Sequence, residues 1–321
     1  MRRNLAACAI LFVLLASAPF YASVFYLTFL NDALIVACLA MSLNLLVGYT
    51  GLASFGHAAY FGLGAYACGL LIKNAGWSFG ASLLAAGASA AVGAAVAGFF
   101  CVRLTRVYFS MLTLAFSLIF WAICFRWNAL TGGDQGLSGI PYPDLRWLAA
   151  LVGRPDFTSA QSYYLVTLAV AALCVGAMWI IVASPVGLML RTVRENEQRS
   201  TFIGIDTRTL KLAVFVAAGA IAGLAGGLFA VFNRGVYPDF MYWTKSAEIL
   251  IMALFGGIAS FWGPALGAVA LLFLHQETTA LTEYWSFALG VVLLVLTLGV
   301  PKGLWGIYED LRRLLRKKPA P

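Results

Sequence analysis

Residues 43–71, LNLLVGYTGLASFGHAAYFGLGAYACGLL, form an apolar run longer than the ~20 residues a helix needs to cross a bilayer. The run is interrupted by Gly48, Gly51, Gly56, Gly62, Gly64 and Gly69, and Asn44, Ser54 and His57 lie within it. Broken helix and polar side chains at membrane depth are costly unless they face other protein or a hydrated cavity. The segment therefore points to a chain built around something that crosses the membrane. Composition agrees, since 62% of the 321 residues are hydrophobic and only 11% charged, more apolar material than a soluble core needs.

The net charge of +8 does not point to nucleic acid. The basic residues cluster at Arg2 and Arg3, at Arg103 and Arg106, in 191–211 and in 302–318, which are flanks of apolar segments. Basic flanks stay cytoplasmic, so the distribution reads as an orientation signal. Cys8, Cys38, Cys68, Cys101, Cys124 and Cys174 all lie in apolar segments with no C-x-x-C spacing, so they read as small packing residues and not as a disulfide framework or zinc site. The two histidines, His57 and His275, supply no metal cage. No G-x-x-x-x-G-K-[ST] loop occurs, so any nucleotide hydrolysis belongs to another polypeptide. No cofactor or metal is expected.

Candidate spans are 5–20, 24–47, 51–72, 81–102, 107–127, 162–183, 211–232, the short stretches 248–258 and 263–274, and 285–300. Ala16-Ser17-Ala18 imitates a signal-peptidase site within 1–18, but Pro19 would follow the cut, so 5–20 is kept as the first span. Ten crossings place both termini in the cytoplasm, with eight or nine as alternatives. At 1.5 Å per residue the stretch 248–258 reaches only about 16 Å, so it is expected to be a re-entrant or half helix. Gly51-Leu-Ala-Ser-Phe55 is echoed by Gly257-Ile-Ala-Ser-Phe261, and Leu63-Gly-Ala65 by Leu266-Gly-Ala268. Paired glycine-broken segments are a pointer to a transport site.

Residues 185–211, PVGLMLRTVRENEQRSTFIGIDTRTLK, are rich in both charges. Met189, Val193, Phe202 and Ile205 are expected to cover one side of a short surface helix while Arg191, Arg194, Glu195, Glu197 and Arg199 stay hydrated; a loop held by its own salt bridges is the alternative. The run 191–230, together with 43–66, TGGDQGLSGIP at 131–141 and EILIMALFGGIASFWGPALGA at 248–268, resembles permease subunits of bacterial ABC importers for branched-chain amino acids, of the LivM type. The resemblance implies a second homologous permease (LivH-like), two cytoplasmic ATPase subunits and a periplasmic substrate-binding protein as partners. It also implies that Arg194, Glu195, Glu197, Gly204 and Ile205 belong to an ATPase-coupling segment, with Gly204 ending its helix. The chain departs from the family's small alanines at Gln198, Arg199, Ser200, Thr201 and Phe202, so the ATPase contact is tuned to a particular partner, and it also departs from the family's common glycine at Ala259.

Asn44, Ser54, His57, Tyr60 and Glu248 are candidates for the translocation pathway, with hydrogen bonding between helices as the alternative for the first four. Glu248 is alternatively a helix cap, given Ser246 nearby. Asp32 lies inside the second span and needs a donor partner. Gly132, Gly133, Asp134, Gly136 and Ser138, in the outside loop, form a cap over the periplasmic mouth, a docking surface for the receptor or a plain connection. The tail from 302 mixes aromatic and basic residues in a pattern suited to an interfacial helix on anionic membrane lipid.

These readings add up to an all-α polytopic transmembrane helical bundle of about 8–10 spans with interrupted or half helices and a cytoplasmic coupling helix. A single transmembrane permease domain covers 1–301, with coupling segment 185–211 and periplasmic loop 128–161; 302–321 is a basic cytoplasmic tail. The expected role is a transport subunit in the bacterial inner membrane and not an enzyme, moving branched-chain or related hydrophobic amino acids. Alternatives are a urea or short-amide permease of the same family, an ion-coupled carrier using Asp32 or Glu248, and a membrane enzyme, for which clustered catalytic groups are missing. Glu197→Arg is expected to leave insertion intact and abolish uptake.

Overall fold

The computed structural model of the chain describes residues 12–145, 159–281, 287, 290, 291, 294 and 303–307. Within them the fold is helical: α1 Val24–Thr50, α2 His57–Ala75, α3 Phe79–Cys101, α4 Arg106–Arg126, α5 Ser159–Ala183, α6 Pro185–Glu195, α7 Glu197–Phe202, α8 Thr207–Phe232, α9 Trp243–Gly256 and α10 Gly263–Leu281. Five helices, α1, α3, α4, α5 and α8, are long and apolar enough to cross a bilayer. At 14 residues, or about 21 Å, α9 is too short for the roughly 30 Å core, as expected of a half helix. Most of the expected spans 5–20 and 285–300, and most of the tail, lie outside the described residues.

Helix α8 runs through the middle of the bundle against α1, α2 and α3. Its small residues allow this: Gly219 faces Ala94, Gly223 faces Ala90, and Gly64 of α2 lies so close to Gly223 that a Cβ would overlap its backbone. Without a hydrophobic drive between helices in lipid, such backbone approach and the dispersion contacts it gives hold the bundle together. The five described cysteines, Cys38, Cys68, Cys101, Cys124 and Cys174, are buried and free, as packing residues.

The expected span 51–72 is not helical throughout. Gly51, at φ 73°, ends α1 in the left-handed region, and residues 51–56 run as a non-helical connector before α2 begins at His57. Two hydroxyls of α4 satisfy the connector, Ser110 Oγ donating to the Ala53 carbonyl at 2.6 Å and Thr113 Oγ1 accepting from Phe55 N at 3.3 Å. The second glycine-broken segment is built alike. Gly257, at φ 106°, ends α9, and α10 begins at Gly263, the same distance on as His57 lies from Gly51. The echo of 51–55 in 257–261 is thus a structural correspondence. The echo of 63–65 in 266–268 is not, because it falls twelve residues after Gly51 and nine after Gly257.

Candidate functional site

Three places gather the singled-out residues. At the first, Ser184 and Asn196 divide the segment 185–211 into two helices. Ser184 caps α6 by accepting from Val186 N at 3.2 Å, and Asn196 caps α7 by accepting from Arg199 N at 3.0 Å. Gly204, at φ 88°, closes α7: Gly204 N donates to Thr201 O at 3.0 Å and Ile205 N to Ser200 O at 3.1 Å, the paired bonds of a Schellman end. The expected helix stop at Gly204 is present.

The apolar side of this segment differs from expectation. Leu190 and Val193 are buried, whereas Met189 is exposed and Phe202 and Ile203 stand 90% and 73% exposed. Arg194 and Glu197 are not simply hydrated either. Arg194 Nη1 donates to the Gly48 carbonyl near the end of α1, and Arg191 lies 5.3 Å from the Tyr49 ring centre. Glu197 pairs with Lys211 of α8, a residue only 1% exposed, and accepts from Thr207 Oγ1 at 3.4 Å. The segment is therefore fastened near its middle, to α1 through Arg191 and Arg194 and to α8 through Glu197, while Glu195 and Gly204 face outward and Ile205 is half-buried. Asp206 starts α8 by accepting from Arg208 N and Thr209 N, both at 3.2 Å. The Thr209 hydroxyl, at 2.6 Å, is the main cause holding its carboxyl below the usual carboxylate range. In the sequence Lys211 marks only a span boundary; a lysine at the start of an apolar run is the signal for this pairing.

At the second, the connector and α2, four pathway candidates are enclosed by the subunit itself. Asn44, Ser54, His57 and Tyr60 are buried. His57 Nε2 meets Ser42 Oγ at 2.7 Å, and Nδ1 has no hydrogen-bond partner. Asn44 Nδ2 donates to the Ser260 carbonyl at 3.1 Å, joining α1 to the second glycine-broken connector. The Ser54 hydroxyl accepts from Gly56 N at 3.4 Å, and Tyr60 stacks edge-on to Phe215 at 5.5 Å. Glu248 is elsewhere, on α9. It does not cap that helix, which starts at Trp243; it pairs with Lys245 at 2.9 Å. Ser246 caps a neighbour instead, its Oγ accepting from Ala58 N in the first turn of α2 at 2.9 Å. Asp32 Oδ1 has no hydrogen-bond partner, although Lys245 and His275 act on it electrostatically. Lys245 was missed in the sequence, where its spacing of three from Glu248 was the readable sign.

At the third, residues 131–140 are pinned and not a plain connection. β1 Leu137–Ser138 pairs antiparallel with β2 Gly235–Val236, Gly139 N and Ile140 N both donate to Arg234 O, and Lys73 Nζ donates to Ser138 O at 2.7 Å. Gly132, Gly133 and Gly136 all take positive φ, and Gly136 lies against the backbone of Val236, leaving no room for a side chain. Asp134 and Ser138 are exposed. The rest of the loop, 146–158, lies outside the described residues.

Comparison with known proteins follows this geometry. The chain is 29% identical over 310 residues to the high-affinity branched-chain amino acid transport system permease protein LivM of Escherichia coli (strain K12), covering 92% of this chain and 73% of that protein. It is 25% identical over 292 residues to the LivH permease of the same strain, covering 85% and 92%. It is 25% identical over 288 residues to a probable LivM permease of Methanocaldococcus jannaschii, covering 78% and 81%. No solved structure matches. Residues 25–298, which hold both glycine-broken connectors and the segment stapled to α1 and α8, match the family described as branched-chain amino acid transport system / permease component, and the chain belongs to that family.

Proposed function

We propose that this multi-pass membrane permease moves branched-chain or related hydrophobic amino acids inward across the bacterial inner membrane, together with a LivH-like permease, two cytoplasmic ATPase subunits and a periplasmic binding protein. Segment 185–211 lies in the cytoplasm and receives the ATPase. The observation that carries this reading is the exposed pair Phe202 and Ile203 on a segment fixed to α1 through Arg194 and to α8 through Glu197. An apolar pair so exposed is suited to a groove on a soluble partner. ATPase closure then reaches α1 through Arg194 and α8 through Glu197 as a rigid-body movement. The pinned loop 131–140 offers a fixed surface to the receptor, with Asp134 and Ser138 outward.

Of the pathway candidates, Asn44, Ser54, His57 and Tyr60 work as internal joints between α1, α2 and the connectors, and Glu248 belongs to the face that borders the passage. The test is leucine uptake by proteoliposomes holding the full complex, receptor and ATP. Phe202→Ser with Ile203→Ser should lower uptake by roughly tenfold or more and release the ATPase subunits on purification. Full uptake and retained ATPase would defeat the docking role. Uptake that proceeds without ATPase and collapses with an ion gradient would select the ion-coupled carrier, and uptake of urea in place of leucine the amide permease.

A further inference from the structure

Lys245 and Glu248 stand one turn apart on α9, with Nζ donating to Oε2 at 2.9 Å and side chains 25% and 41% exposed. Their depth follows from Ser246 between them. That residue is buried and holds Ala58 N of α2, next to His57, whose ring meets Ser42. Ser42 lies eight residues before the end of α1, about 12 Å inside a helix about 40 Å long. Asp32, on which both members act, lies eight residues after the start of α1, so the pair sits beside the middle part of a helix long enough to cross a bilayer. Two charges with that much free surface at such a depth do not face hydrocarbon; they face a wet passage or another protein. Asp32 of α1 and His275 of α10 act in the same electrostatic cluster, and His275 is exposed. Polar groups of three helices thus gather beside the pair, with Asp32 Oδ1 enclosed and Lys245, Glu248 and His275 keeping open surface.

Resting on the amino-acid importer reading above, we propose that Lys245 and Glu248 grip the charged end of the travelling amino acid. The substrate carboxylate accepts from Lys245 Nζ, and its ammonium donates to the Glu248 carboxylate. A free α-amino acid carries both charges around one Cα, so it inserts into the pair and each protein group exchanges one opposite charge for another. No unpaired charge is left at depth in either state, which is the condition for low cost there. When empty, the pair closes on itself, as seen. A lone ion breaks the pair and strands one member, and an uncharged amide matches neither, so the pair also selects against both.

The test uses the complete complex of both permeases, ATPases and receptor in proteoliposomes, with radiolabelled leucine as probe and co-purification of the second permease as the measure of assembly. Lys245→Met and Glu248→Gln should each lower ATP-driven uptake at least about tenfold in assembled complexes, while Lys245→Arg and Glu248→Asp keep most of it. Unchanged uptake in the Met and Gln variants overturns the proposal. Loss of the second permease from those complexes also overturns it, assigning the pair to subunit contact. Absence of leucine uptake by the wild-type complex overturns the importer reading, and this inference with it, whereas wild-type uptake with unaffected variants overturns this inference alone.

Discussion

Two lysine–glutamate pairs among the described residues have the same chemistry and opposite surroundings. Glu197–Lys211 joins α7 to α8, with the lysine enclosed by the bundle and a third partner in Thr207. Lys245–Glu248 joins two residues of one helix and keeps an open side. A pair locked between two elements transmits movement, because separating it strands a buried ammonium. A pair within one helix and open on one side holds nothing together, so it is free to exchange partners. The contrast shows that residue type alone does not separate an ion pair that ties two elements from one that keeps an open side; tertiary contacts do.

The comparison breaks first at Lys211. Glu197→Gln should destabilise the purified permease by roughly 2 kcal/mol, below the ~3–5 for a fully enclosed pair because Glu197 is a third exposed. Denaturation in detergent measures this, and wild-type stability would show that the pair is no staple. The sequence-based expectation that Glu197→Arg spares insertion changes accordingly: it places a second cation against Lys211, so uptake and stability should fall together. Next, Ser246→Ala removes the acceptor for Ala58 N and should cost about 1 kcal/mol, visible as faster amide exchange in the first turn of α2. Smaller still, Lys245→Met should cost less than that, since Glu248 keeps an open side that water in the passage reaches and the pair ties no second helix. A large loss there would make the two pairs alike.

The smallest effect is a pH dependence at Asp206. Its folded carboxyl lies below the ordinary value of 3.8, so its contribution is complete above that value and is lost as pH falls through the lowered one. Amide protection in the first turn of α8 should drop on that acid side in wild type. Asp206→Ala should show reduced protection at neutral pH and no such step.

Much of the bundle was legible because hydropathy and length are local properties. The boundaries of α3, α4, α5 and α8 fall within a few residues of the expected spans, and Gly204 stops its helix as its backbone freedom suggests. The half helix at α9 was likewise visible in the shortness of its apolar run. The enclosure of His57, Asn44, Ser54 and Tyr60 was not, since a polar residue at membrane depth reads the same whether it meets a neighbouring helix or a passage. Nor was the inward turn of Arg194 and Glu197, whose partners Gly48 and Lys211 are set by how α1 and α8 meet the segment.

The sequence alone determined that the chain is a membrane-embedded helical permease, broken by glycine at two matching points and carrying a charged segment between spans, because burial in lipid constrains composition residue by residue. Tertiary structure decided which polar groups join helices and which stay open, because that depends on approach across hundreds of residues, such as Asn44 to Ser260 and Ala58 to Ser246. Backbone proximity of that kind has no local signature in the chain.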